Sequence, residues 1–202
     1  MSVSVVVFDL GNVLITWDRA LLFGQLIGDP DELNYFLDNV FTLEANQALD
    51  RGMPLPEVTA RIAAAHPEHA DTINELASRW RETLGGPIEE SVTILRELKA
   101  RQVPLYALSN WGADTFGMIQ HEFDFLEEFD GLVISGREGV IKPEAEIFAI
   151  MCERHGFEPA DAVFIDDSAA NISAAEALGF DSLLFRSAGE LREQLLERGL
   201  LV

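Results

Sequence analysis

Lysine is almost missing from this chain of 202 residues: only Lys99 and Lys142 occur, and the net charge is −21. So acidic a surface repels nucleic acid and anionic membranes at long range, which argues against both as partners. It repels phosphate esters too, so a site for one needs a local positive device such as a metal ion or a placed lysine. Cysteine is scarcer still. Cys152 alone cannot close an internal disulfide, as suits a reducing cytoplasm. Its place in the helical pattern 146–155 reads as a small buried side chain rather than a nucleophile. No apolar run is long enough to cross a bilayer, and the N-terminus shows neither the basic nor the apolar segment of a secretion signal, so a cytoplasmic location is expected. Without secretion, the glycosylation sequon Asn171-Ile172-Ser173 carries no meaning. Internal repeats and low-complexity linkers are absent, as are both Gly-rich nucleotide fingerprints, so nucleotide cofactors are not implied.

What is present suits one compact domain carrying a smaller insert: 48% of residues are apolar and 24% charged. Five short apolar runs, residues 3–8, 103–108, 131–135, 162–165 and 182–185, read as strands buried on both faces, which a parallel sheet requires. Between them lie helical stripes such as Ile88, Val92, Leu95 and Leu98, or Ile147, Phe148 and Met151. The stripe Ile172, Ala175, Leu178 ends at Gly179, a natural helix stop. Strand alternating with helix predicts an α/β fold with a Rossmann-like, doubly wound parallel sheet. The interval between the first two strands is too long for a plain crossover. It holds helical patterns over 19–27, 30–40, 57–65 and 69–84 and ends at Gly85-Gly86-Pro87. The chain therefore divides into a core, 1–15 and 87–202, and an inserted α-helical cap, 16–86.

Four signals fall at the C-terminal ends of predicted strands or in the loops after them, where open parallel sheets bind ligands. Asp9 follows the first strand and precedes Gly11; a carboxylate held there can attack phosphorus or carbon if a cation balances its charge. Ser109 and Asn110 follow the second and can cradle an oxyanion. Lys142 stands before Pro143 and a helix start, able to neutralise both a nucleophile and an anion. Asp166 and Asp167 end the fourth strand; adjacent acids in an acidic protein call for a cation, and hard oxygen ligands suit Mg²⁺. Each has a plain alternative: a turn aspartate, helix-capping Ser or Asn, a solvated lysine, and acids favoured by a helix dipole. Their order along one sheet is the more specific observation.

With that order, the sequence resembles the haloacid dehalogenase superfamily across essentially its whole length. Asp9 matches the nucleophile of the first motif, Ser109 the second, Lys142 the third and Asp166-Asp167 the fourth, and the helical insert resembles the family's cap. The resemblance implies a hydrolase of a small phosphorylated metabolite, possibly a sugar phosphate, working through a phosphoaspartate on Asp9. It further implies that Asp9, Asp166 and the Gly11 carbonyl bind Mg²⁺, with Asp167 behind them, while Ser109, Asn110 and Lys142 hold the phosphoryl oxygens. One position departs from the pattern. Phosphatases of this family usually carry a second aspartate two residues after the nucleophile, and here that residue is Gly11. Asp18 and a metal-polarised water are the replacements to consider.

Two other functions remain. A metal-free 2-haloacid dehalogenase would use the same Asp9 and tolerate Gly11, since halide leaves without a proton; Trp17 and Trp111 could line its pocket, and Arg19 or Arg51 hold a carboxylate. The acid pair Asp166-Asp167 speaks against it. The other is a non-catalytic regulatory protein on the same fold. Substrate choice falls to cap residues, with Trp17, Phe41, Glu44 and Arg51 as candidates. Oligomeric state is not legible.

Overall fold

The computed structural model describes residues 4–202, so the expected first-strand residue 3 and core residues 1–3 lie outside it. The strands, in chain order, are β1 (Val5–Phe8), β2 (Ile15–Trp17), β3 (Leu84–Pro87), β4 (Leu105–Ser109), β5 (Gly131–Ile134), β6 (Ala162–Asp166) and β7 (Asp181–Leu184). Five of them form one sheet in the order β5-β4-β1-β6-β7, each pair parallel. Strand order reverses at β1, which opens a crevice above its carboxyl end between β4 and β6.

Between β2 and β3 lie α1 (Arg19–Leu26), α2 (Pro30–Asn39), α3 (Leu43–Asp50), α4 (Leu55–Ala65) and α5 (Ala70–Arg79). Asp29 starts α2, its carboxylate accepting from the Asp31 and Glu32 N–H groups at 2.9 and 3.0 Å, with Pro30 already in helical φ. Phe23, Phe36 and Phe41 hold this region together, ring centroids 4.7 and 5.5 Å apart, each burial contributing about 1.5–3 kcal/mol. Helix α3 was not expected. It is short, and Leu49 is its one fully buried residue, which leaves almost no periodicity to read. Thr42, which accepts from the Ala45 N–H at 3.0 Å, is the capping signal that could have found it. The pattern expected over 69–84 is broken: α5 ends at Arg79 and a 3₁₀ turn, Trp80–Thr83, leads into β3.

The Gly85-Gly86-Pro87 segment, where the insert was expected to end, belongs to strand β3. It pairs antiparallel with β2, Thr16 opposite Gly86 and Ile15 opposite Pro87. A Cβ on Gly85 would sit 3.0 Å from the Thr16 Cβ, and Gly86 has φ +98°, so only glycine lets the strands approach and turn here. Glycine's scarcity in strands hid this from the sequence.

The remaining helices are α6 (Glu89–Ala100), α7 (Ala113–Ile119), α8 (Ser135–Glu138), α9 (Ala145–His155), α10 (Ala169–Ala177) and α11 (Ala188–Glu197). Alternation along β1 sorts them into two layers. Val5 and Val7 pack with Ile147, Phe148 and Met151 of α9 and Ile172 of α10. Val6 and Phe8 pack with Val92 and Leu95 of α6, Leu191 of α11 and, in the same apolar cluster, the phenylalanines of the inserted helices. Leu178, expected on the buried stripe, is 39% exposed. No helix of the described residues is long and apolar enough to cross a membrane.

Candidate active site

The crevice above β1 is a cavity of about 470 Å³. Asp9 enters it from the end of β1, Ser109 and Asn110 from β4, Lys142 from the loop before α9, and Asp167 from the end of β6. The sequence-expected residues Asp9, Gly11, Ser109, Asn110, Lys142 and Asp167 all line it, and Asp166 lies directly behind.

Lys142 is not a surface lysine. It is 2% exposed, and its ammonium donates to Asp9 Oδ1 at 2.9 Å and Asp166 Oδ2 at 2.6 Å. Burial works to lower its pKa, but attraction and hydrogen bonds from Asp166 and Asp9 outweigh this and raise it, so it stays charged. Burial pushes the Asp9 carboxyl the other way, up to about 7, against the pull of Lys142 and helped by Asp166. Burial and Asp166 likewise raise Asp167, against Lys142 and a hydrogen bond with Asn12. One lysine thus faces three acids. The carboxylates offer oxygens within 4.8 Å of one another, so a hard divalent cation fits both the donor set and the charge deficit.

Hydrogen-bond accounting bears on two expected roles. Asp166 is spoken for: Oδ1 accepts from the Ser168 N–H at 2.8 Å and from Asn171 Nδ2 at 3.0 Å, and Oδ2 accepts from Lys142 and, at 3.1 Å, from Asn171. These use the lone pairs of a carboxylate. Asp167 is exposed and far less committed, so Asp167, expected behind the metal, has the freer oxygens of the two. Asn110 is the second. Its Nδ2 donates to the Lys142 carbonyl at 2.9 Å and its Oδ1 accepts from the Lys142 N–H at 2.8 Å, so on the cavity wall its side chain clamps the lysine backbone. Ser109 remains available: it is fully buried, and its hydroxyl has no partner among the described residues, nor has the Trp111 indole N–H. Buried donors of this kind on a cavity wall await a ligand.

Several expected cap residues stand elsewhere. Phe41 is in the apolar core, and Glu44 lies outside the cavity wall. Arg19 donates to the Leu37 carbonyl at 2.9 Å and to that of Phe41, while Arg51 pairs with Glu144. Asp18 is exposed, and its carboxylate caps α1 through the Ala20 N–H at 2.8 Å, so it is no substitute acid. Cys152 is half-buried, and burial pushes its thiol up to about 11, which leaves it unreactive. The sequence missed three things. Asn171 orients Asp166, Asp50 of α3 lines the cavity, and Trp80 joins the expected Trp17 and Trp111 on its border. Asn171 could have been noticed by its place in the first turn of the helix after Asp166.

A buried aspartate, a buried lysine and a carboxylate cluster thus meet at the switch point of a parallel sheet, an arrangement that suits a hydrolase. The family model of haloacid dehalogenase-like hydrolases matches residues 3–179, and the chain belongs to that family. The sesquiterpene phosphatase astK of Aspergillus oryzae is 27% identical over 179 residues, covering 88% of this chain and 87% of its own. A haloacid dehalogenase family enzyme of Bacteroides thetaiotaomicron, solved as a magnesium complex, superposes with a TM-score of 0.73 at 25% identity, covering 97% of this chain and 99% of that one. The L-2-haloacid dehalogenase of Xanthobacter autotrophicus, with chloropropionic acid covalently bound, shares the fold at a TM-score of 0.63, with 18% identity over 96% of this chain and 83% of that one.

Proposed function

We propose that this hydrolase is a magnesium-dependent phosphatase for small monophosphate esters whose alcohol is apolar. The observation that carries the phosphatase reading is the convergence on Asp9 of a buried lysine, the Asp167 oxygens and the unpartnered Ser109 hydroxyl. Asp9, Asp167 and the Gly11 carbonyl would hold the cation, which, when bound, supplies positive charge to the nucleophile and to the phosphoryl group. Lys142 and Ser109 hold the phosphoryl oxygens in place. Asp9 attacks phosphorus to give a phosphoaspartate, which water then hydrolyses. Asp166 never touches substrate. Its work is to aim Lys142, with Asn171 and Ser168 fixing the aim.

The tryptophans move the substrate class away from sugars. Trp17, Trp80, Trp111, Leu43 and Leu49, set beside the amides Asn46 and Gln47, reward burial of an apolar leaving group. The A. oryzae relative, named for a sesquiterpene substrate, supports the same direction.

The test is phosphate release, with magnesium and with a chelator, from a prenyl monophosphate, a hexose phosphate and 4-nitrophenyl phosphate, beside halide release from 2-chloropropionate. Magnesium-dependent release with kcat/KM higher on the prenyl ester is expected. Preference for the hexose phosphate overturns the substrate class, and metal-independent halide release overturns the phosphatase.

A further inference from the structure

General acid–base help is worth roughly 10²–10⁴ in rate, and at the position where this family usually keeps that group the chain has Gly11. Space is not the reason: a Cβ on Gly11 would meet nothing within 4 Å. The cavity contains one further carboxyl, and it comes from the inserted helices. We propose that Asp50, the last residue of α3, is the general acid–base: its carboxyl protonates the leaving alkoxide and its carboxylate then takes a proton from the attacking water.

Three contacts hold Asp50 over the sheet. The Ser135 hydroxyl donates to the Asp50 carbonyl at 2.6 Å while accepting from the Trp111 N–H at 2.9 Å, joining α3 to the loops after β4 and β5. Next in sequence, Arg51 pairs with Glu144, two residues beyond Lys142. Then Gly52, at φ +92°, lies so close to the Gly136 backbone that a Cβ there would be 2.5 Å from its carbonyl oxygen. The carboxyl itself accepts from Asn46 Nδ2 at 3.2 and 3.4 Å and makes no ion pair among the described residues. Burial raises its pKa to about 7, against the pulls of Asn46 and of Lys142. A group balanced there gives and takes a proton near neutrality.

The steps balance. As the Asp9 oxygen bonds to phosphorus, the ester P–O bond breaks and the Asp50 proton passes to the departing oxygen, which leaves as the alcohol. Water then bonds to phosphorus, its proton passes to Asp50, and the P–O bond to Asp9 breaks, returning Asp9 as carboxylate and releasing inorganic phosphate.

This assignment rests on the phosphatase reading, so the experiment starts with the wild-type enzyme, magnesium and two esters. Benzyl phosphate must lose a basic alkoxide, whereas the 4-nitrophenolate of 4-nitrophenyl phosphate leaves without a proton. If neither ester yields phosphate from the wild type, the phosphatase reading and this assignment fall together. With an active wild type, Asp50→Asn should lose roughly 10²–10⁴ in kcat/KM on benzyl phosphate and less than about tenfold on 4-nitrophenyl phosphate. On the latter it should release a burst of one nitrophenolate per enzyme before slow turnover, because hydrolysis of the phosphoaspartate lacks its base. Adding Gly11→Asp to Asp50→Asn should restore at least about tenfold on benzyl phosphate. Equal losses of kcat/KM on both esters, or a variant within about threefold of wild type on benzyl phosphate, overturn the assignment while sparing the phosphatase. Should the variant not fold, the wild type still decides. Its kcat/KM across aryl phosphates should depend weakly on leaving-group basicity, and a steep dependence overturns the assignment.

Discussion

The two sides of the cavity are built on opposite electrostatic terms. On the sheet side every buried charge has a partner: Lys142 bonds to Asp9 and Asp166, and Asn171 and Ser168 complete Asp166. On the helical side tryptophan and leucine alternate with the neutral amides Asn46 and Gln47, and the one acid, Asp50, has an amide for company and no cation. The difference separates two tasks. A saturated network holds a nucleophile and an anion rigidly, while a sparsely bonded carboxyl in an apolar wall keeps the proton affinity that proton transfer needs.

The largest effect expected from breaking the sheet side is at the proposed nucleophile. Asp9→Asn should reduce turnover by about 10⁴-fold or more with the fold intact by circular dichroism; an active variant removes Asp9 from the chemistry. Next comes Lys142→Met. Because the lysine is buried between two carboxylates, its removal should cost about 3–5 kcal/mol in denaturant unfolding as well as abolishing inhibition by inorganic phosphate. Loss of phosphate binding at full stability would mean that the network is not what holds this end of the sheet.

The same contrast explains what was legible. The five parallel strands stand out as unbroken apolar runs because both their faces are covered, and the residues ending them inherit their positions from the strands. Which of Asp166 and Asp167 is committed to Lys142, and that Asn110 clamps a backbone, depend on partners brought from more than twenty residues away. Helix α3 and the β2–β3 ribbon are too short, or too rich in glycine, to leave a period. Asp50 was invisible for a further reason: its character is a product of burial under the neighbouring helices, and nothing in Leu49-Asp50-Arg51 announces it.

Smaller effects sharpen the comparison from the helical side. Trp17→Ala should lower kcat/KM about tenfold for a prenyl monophosphate through lost apolar contact, and leave methyl phosphate nearly unchanged; equal loss on both would make Trp17 a packing residue. The smallest effect is in stability. Folding raises the Asp50 pKa to about 7, so the protonated form is favoured in the folded chain. That contribution is whole below the ordinary carboxylate range and is lost as pH rises through about 7. Asp50→Asn should therefore melt level with the parent near pH 3, draw above it as pH rises between about 4 and 7, and stay above it near pH 8 by on the order of 1 kcal/mol, discounted for a half-buried group. A variant less stable than the parent near pH 8 contradicts the direction of the shift.

The paired strands β2 and β3 carry both crossings of the chain between sheet and inserted helices. Asp9 and Asp50, the proposed nucleophile and proton source, therefore lie in parts of the chain that only this ribbon connects covalently. If the inserted helices lifted from the sheet, Asp50 would leave Asp9 with them. The proposed acid would then work as an interlock, in reach of the scissile oxygen only with the helices seated.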